Sequence, residues 1–194
     1  MAKINGLEVK AVKGFLDHEG CQIYQGSLYL GDKRIGFWSQ DYMFGPDDFD
    51  LDSKYSLSKL DNLVKKYNED KREEITRRDG SKTYLEYDLE LLLYDLMKLR
   101  EKEKKCKQYV KKLGYEPVFV ICEGKIGWIP KFLSKEKYGH MANEQIMESL
   151  AVKNFINEVK NQVSYKDEEP EVLIFKSMDD FDIGKHIELQ DIVK

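Results

Sequence analysis

Cysteine is scarce in this chain. There are three, Cys21, Cys106 and Cys122, an odd number at wide spacings. That argues against a disulfide framework, so reduced thiols and a cytoplasmic address are expected. Long apolar runs are also missing. The longest candidate, LELLLYDLM, is interrupted by charge and falls well short of the roughly 20 residues a membrane helix needs. The opening MAKINGLEVK holds no apolar core of signal-peptide length. A secreted or membrane-embedded protein is therefore not expected. The histidines, His18, His140 and His186, lie far apart with no HExxH spacing, which excludes a zincin. His18 and Cys21 form an HxxC pair, but a structural zinc site needs four ligands and the nearest other cysteine is Cys106. No GxSxG marks a nucleophile, and Asp79-Gly80-Ser81-Lys82 lacks the rest of a phosphate-cradling loop. No cofactor and no enzymatic activity are expected.

What is present is charge. Hydrophobic residues make up 41% and charged residues 35%, which describes a well-solvated globular chain. The net charge of −4 excludes a wholly basic nucleic-acid binder and leaves room for a local basic patch.

The patterning reads as α+β: a small N-terminal antiparallel sheet, long central helices, a β-hairpin and a C-terminal helix with a short strand. Leu7, Val9 and Ala11 alternate with their neighbours, and Tyr24, Leu28 and Leu30 share one face of a second strand. Gly31-Asp32-Lys33 then turns the chain into the next strand. Ser56 is placed to cap a helix to about residue 69. Residues 71–82 read as a charged connector. Residues 84–113 carry Leu85, Leu89, Leu92, Leu96 and Leu99 at helical spacing, with Gly114 as the stop. A hairpin is expected over 118–129, turning at Glu123-Gly124 and closed by Pro130. A helix follows from Asn143 to about Val163, then a strand over 172–175. The blocks 1–55, 56–139 and 140–194 are candidate subdivisions, either separate or all one domain. Apolar faces on two long helices make a homodimer an open expectation.

Two stretches stand out. Residues 37–50, FWSQDYMFGPDDFD, sit within a span from 35 to 53 that has no Lys or Arg. One reading is a turn at Gly45-Pro46 whose Phe37, Trp38 and Phe49 serve the core. Another is a contact loop. Aromatics there supply stiff contact area, and uncompensated acids steer a basic partner, which nominates Asp41, Tyr42, Phe44, Asp47 and Asp48. A calcium loop is a weaker fit, because the run DDFDLD lacks the sharp-turn glycine and terminal Glu. The second stretch, 98–112, carries eight bases against two acids. It reads as a solvated helix face or as a phosphate-tracking surface through Lys102 and Lys105. A small-ligand reading would use Tyr24, Tyr29 and Trp38 to stack on a signalling nucleotide, with Lys33 or Arg34 on its phosphate.

The block INGLEVKAVKGFLDHEGCQIYQGSLYLGDKRIGFWSQD and the later LREKEKKCKQYVKKLGYEPVFVICEGKIGWIPKFLSKEKYG resemble small proteins encoded by phages and integrated mobile elements of low-GC Gram-positive bacteria. The two blocks together span about half the chain. The resemblance implies no catalytic residues. It implies a setting of small cytoplasmic proteins of the bacterial host cell that bind and block host defence machinery, so an accessory protein that binds and inhibits a bacterial defence protein, in the manner of an anti-CRISPR, is expected; the acids of the 37–50 loop would occupy a basic groove on that partner.

Overall fold

The computed structural model describes all 194 residues except 17, 19, 21, 42–44, 77–79, 125–126 and 162–169, and the side chains of 72–76 and 85. The fold is α+β, and its contacts divide it into two units. The first comprises Met1–Glu101 with Asp182–Lys194, the second Lys102–Phe181.

In the first unit, strands β1 (Lys3–Ile4), β2 (Leu7–Leu16), β3 (Gln22–Leu30), β4 (Lys33–Ser39) and β5 (Asp48–Leu51) form an antiparallel sheet. A late strand, β11 (Asp182–Ile183), returns to lie parallel to β1 at one edge, and β5 forms the other. Leu7, Val9, Leu28, Leu30 and Trp38 are buried, and the strand register puts all five on one face. Two short turns set that register. Asn5-Gly6 joins Ile4 to its partner Leu7 with φ of 53° and 78°, the left-handed pair that a tight hairpin requires. Between Leu30 and Lys33, Gly31 at φ 58° is the left-handed residue of the turn, and Asp32 is not left-handed. A bulge between Lys10 and Lys13, with Ala11 at φ 51°, shifts the β2–β3 register. Beyond it Phe15 and Leu16 are exposed.

Helix α1 (Leu57–Tyr67) starts as expected at Ser56, whose hydroxyl accepts from the Lys59 amide, and buries Leu60 and Val64. The sequence reading of 71–86 is corrected. Instead of a connector running into a helix, β6 (Arg72–Thr76) and β7 (Lys82–Glu86) form a two-stranded ribbon, with Glu74 opposite Tyr84. Helix α2 (Leu89–Leu113) begins later than its leucine spacing suggests. Two carboxylates set that start: Asp88 Oδ1 accepts from the Leu91 amide at 3.0 Å, and Asp61 Oδ1 from the Leu89 amide at 3.1 Å. The helix continues from the first unit into the second.

A buried amide pair holds the ends of the first unit. Asn5 is 1% exposed. Its Nδ2 donates to the Lys185 carbonyl at 2.8 Å, and its Oδ1 accepts from Asn68 Nδ2 at 3.0 Å. Asn68 Nδ2 also donates to the Val64 carbonyl at 2.7 Å, at the end of α1. The Asn5 backbone donates to Ile183 and accepts from Ile187. The first turn, the end of α1 and the returning C-terminal segment therefore meet at one residue. Farther along, Ser56 donates to the Ile192 carbonyl, and Tyr55 bridges to Val193.

In the second unit, β8 (Val118–Gly124) lies between β9 (Gly127–Leu133) and β10 (Glu171–Phe175). The expected turn at Glu123-Gly124 moves on: both residues pair within β8, and the connection falls on residues outside the described set. Pro130 sits inside β9, opposite Ile121, on a strand at the sheet edge, where proline is tolerated. Short α3 (Lys135–Tyr138) and α4 (Asn143–Met147) precede α5 (Leu150–Lys160). The single helix expected from Asn143 is thus split, because Ser149 adopts an extended conformation and starts α5. Val163 lies outside the described residues. Val118, Val120 and Cys122 from β8 pack with Tyr138, Ile146, Val152 and Val159. A 3₁₀ turn (Met178–Phe181) stacks Phe181 on Phe175, ring centroids 4.1 Å apart.

Replacing Asn5 tests the amide pair. Asn5→Ala leaves the Lys185 carbonyl and one Asn68 donor unmatched and places Ala in left-handed backbone. The expected cost is about 3 kcal/mol in denaturant unfolding, against about 2 kcal/mol for Asn5→Gly, which relieves the backbone alone. A cost below about 0.5 kcal/mol for both would show that the pair carries no weight.

Candidate functional site

The base-free stretch divides into two parts with different chemistry. The inner part is structural. Trp38 is fully buried, and its Nε1 donates to Asp47 Oδ2 at 2.7 Å. The Asp47 amide donates to Glu90 Oε1 at 3.2 Å, near the start of α2. Asp41 Oδ2 accepts from the Gly45 amide at 2.9 Å, and a Cβ at Gly45 would force that carboxylate to move. Asp41 and Asp47 therefore build the turn, and Trp38 serves the core.

These contacts crowd carboxylates. Burial, reinforced by the charges of Glu90, Asp88 and Asp41, pushes the Asp47 carboxyl up to about 6, and the indole hydrogen bond only partly offsets this. The turn is held in place by an acid that the surrounding acids disfavour in its charged form.

The outer part is β5. Among the described residues it pairs with β4 alone and forms a sheet edge. Its side chains alternate. Phe49 lies opposite Trp38 and is half-buried, whereas Asp48 and Asp50 lie opposite Ser39 and Phe37 and are exposed. Just beyond the strand, Asp52 pairs with Arg34 at 3.1 Å. Of the nominated contact residues, Asp48 is therefore presented to solvent, Asp41 and Asp47 are engaged within the turn, and Tyr42 and Phe44 lie outside the described residues. Asp50 is exposed as well and was not nominated. The period of two across a four-residue strand was the available signal.

The lysines of the second stretch also separate. Lys102 is 4% exposed and pairs with Glu123 at 2.6 Å. It holds β8 to α2 and is not a surface contact. Lys105 is exposed, with its ammonium 5.1 Å from the Trp128 ring centroid.

The nucleotide set is not assembled. Trp38 has no exposed face, the Tyr24 hydroxyl is bound to Glu101 Oε1 at 2.5 Å, and Lys10 covers Tyr29 at 4.3 Å. Burial is also the main cause that pushes the Tyr24 phenol up to about 12. The described thiols are buried, and that burial raises Cys106 to about 12 and Cys122 to about 11, far from the thiolate a nucleophile needs. Cys21 lies outside the described residues, so the HxxC pair with His18 does too. Among the described residues no group of three or more His, Cys, Asp or Glu is placed to hold a metal ion, and no helix is long and apolar enough to cross a membrane.

No family model, curated protein or solved structure matches this chain.

The crowded acid gives a signed pH dependence. Because the folded pKa of Asp47 lies above its unfolded value, the folded state binds the extra proton between about pH 4 and pH 6. Stability from this group is therefore greatest below that window and is lost as pH rises through it. Asp47→Asn keeps an acceptor for Trp38 and removes the titration. Between pH 4 and pH 7.5 the variant should gain about 1–2 kcal/mol relative to the native chain, after allowance for solvent screening. Parallel pH–stability curves would refute the crowding.

Proposed function

We propose that this protein is a non-enzymatic accessory protein of phage or mobile-element type. It inhibits a bacterial defence protein by laying the acidic edge of its first unit into a basic groove. The observation that carries the reading is the exposed pair Asp48 and Asp50 on an open sheet edge. Behind them stands Asp47, whose carboxyl is pushed up by burial and by the charges of Glu90, Asp88 and Asp41. An edge strand offers unpaired backbone donors and acceptors, and its side chains recognise at every second residue. Acids on such an edge discourage self-association and favour a cationic partner.

The charge of the chain is also unevenly divided. The first unit has 18 Lys and Arg against 23 Asp and Glu, the second 14 against 13, so the acidity of the chain belongs to the first unit. A field of that sign raises the encounter rate with a basic surface and weakens with salt. The resemblance of two sequence blocks to mobile-element proteins supplies the setting in which the partner is a host defence component.

Affinity capture on the tagged chain from host lysate, with nuclease treatment and mass spectrometry, tests this. A stoichiometric defence protein should be retained, and Asp48→Lys with Asp50→Lys should weaken its binding by more than about tenfold. Asp47 is left in place so that the turn stays intact. Retention unchanged by the double reversal would remove the β5 edge from the contact.

A further inference from the structure

We infer that the second unit carries a binding surface for single-stranded nucleic acid, built from the solvent side of α2 and the aromatic residues of β9. On its face the run from Lys102 to Lys112 looks blunted by Glu103. The structure removes that objection. Glu103 is 3% exposed and bound to Lys107 at 2.5 Å, while Lys102 is buried against Glu123. Both acids' partners are thus fixed. What faces water is Lys104, Lys105, Lys107, Lys111 and Lys112, of which Lys107 is engaged by Glu103, and of residues 102–113 none of the exposed ones is an acid. Among the described residues Lys104, Lys111 and Lys112 meet no carboxylate within ion-pair distance.

Rings lie beside these charges. Trp128 sits under the Lys105 ammonium, and Tyr109, one turn farther along α2, packs on Phe132 with centroids 4.8 Å apart. Phe132 is exposed, and Trp128 and Tyr109 are half-buried. Trp128 and Phe132 fall on the same face of β9, opposite Glu123 and Phe119 of β8. Sequence distance hides this: Trp128 and Phe132 lie beyond the end of the helix and reach it only by the hairpin.

Cationic groups spaced along roughly 12 Å of helix, with ring faces at hand, match a flexible phosphate chain carrying unstacked bases. A lipid surface fits less well. An interfacial helix inserts its apolar stripe, and here that stripe, with Cys106 at 0% exposure, is already used in the core of the unit. Duplex nucleic acid would meet the lysines but leave the rings without bases to stack on.

The test uses the full chain and a fluorescein-labelled oligo(dT) of about 20 nucleotides, with anisotropy followed from about 50 to about 300 mM salt. Three or four phosphate contacts should give a slope of log K against log salt of about −2 to −3. Replacing Lys104, Lys105, Lys111 and Lys112 by Gln should lower affinity at least about tenfold and flatten that slope, with the circular dichroism spectrum retained. Trp128→Phe should keep the slope and abolish the quenching of indole fluorescence that binding produces, since Trp38 is buried. Absence of binding at the lowest salt would overturn the proposal. So would affinity indifferent to the four lysines, equal affinity for the matching duplex, or binding only to phosphatidylcholine–phosphatidylserine vesicles.

Discussion

The first unit depends on one buried amide. Asn5 has a left-handed backbone, is shielded from water, and uses its main chain and side chain to tie three segments far apart in sequence. A buried polar group of this kind is costly unless every partner is present. It therefore specifies one arrangement: the returning C-terminal segment must run alongside β1, and α1 must end where Asn68 can reach. The strands that follow, from β2 to the acidic edge at β5, are laid down in register from that fixed end.

On this frame the fold sorts the charges. Some are consumed by architecture: Asp88 and Asp61 start α2, Asp47 and Asp41 build the turn after β4, and Lys102 and Glu123 pair inside the second unit. Others are left in water with no structural duty, as at Asp48 and Asp50 on β5 and at Lys104, Lys111 and Lys112 on α2. A consumed charge stabilises or strains the fold. A spare charge of one sign, gathered on one surface, is available to a partner. The functional reading rests on that division, which is why reversing Asp47 would confuse folding with binding and reversing Asp48 would not.

Much of the architecture was legible in the sequence because it is written in local signals. The Ser56 cap, the alternation of β3, the Gly31 turn and the leucine period of α2 each declare themselves within a few residues. The failures have physical causes. Tyr84 and Leu85 fit the helical period of α2, but the Asp61 carboxylate that helps fix the helix start is distant in sequence. Pro130 reads as a terminator until its strand is known to be an edge. At the candidate surfaces the limit was the same. Residue type identified the acids and lysines, but only burial separates Asp47 from Asp48 and Lys102 from Lys105. The aromatic neighbours of the lysines come from another element, so no window along the chain contains both.

The most direct measurement of this sorting is an NMR titration of the Asp and Glu side-chain carboxyls, followed together with the two indole resonances. Asp47 should titrate near pH 6, with the Trp38 Nε1–H signal moving on the same curve, because the acid is packed against that indole and crowded by Glu90. If Asp47 instead titrates near 4 with the Trp38 signal unmoved, the turn is not built on it. Asp47 would then be a surface acid like Asp48, and the division between structural and spare charge would fail where it is drawn most sharply.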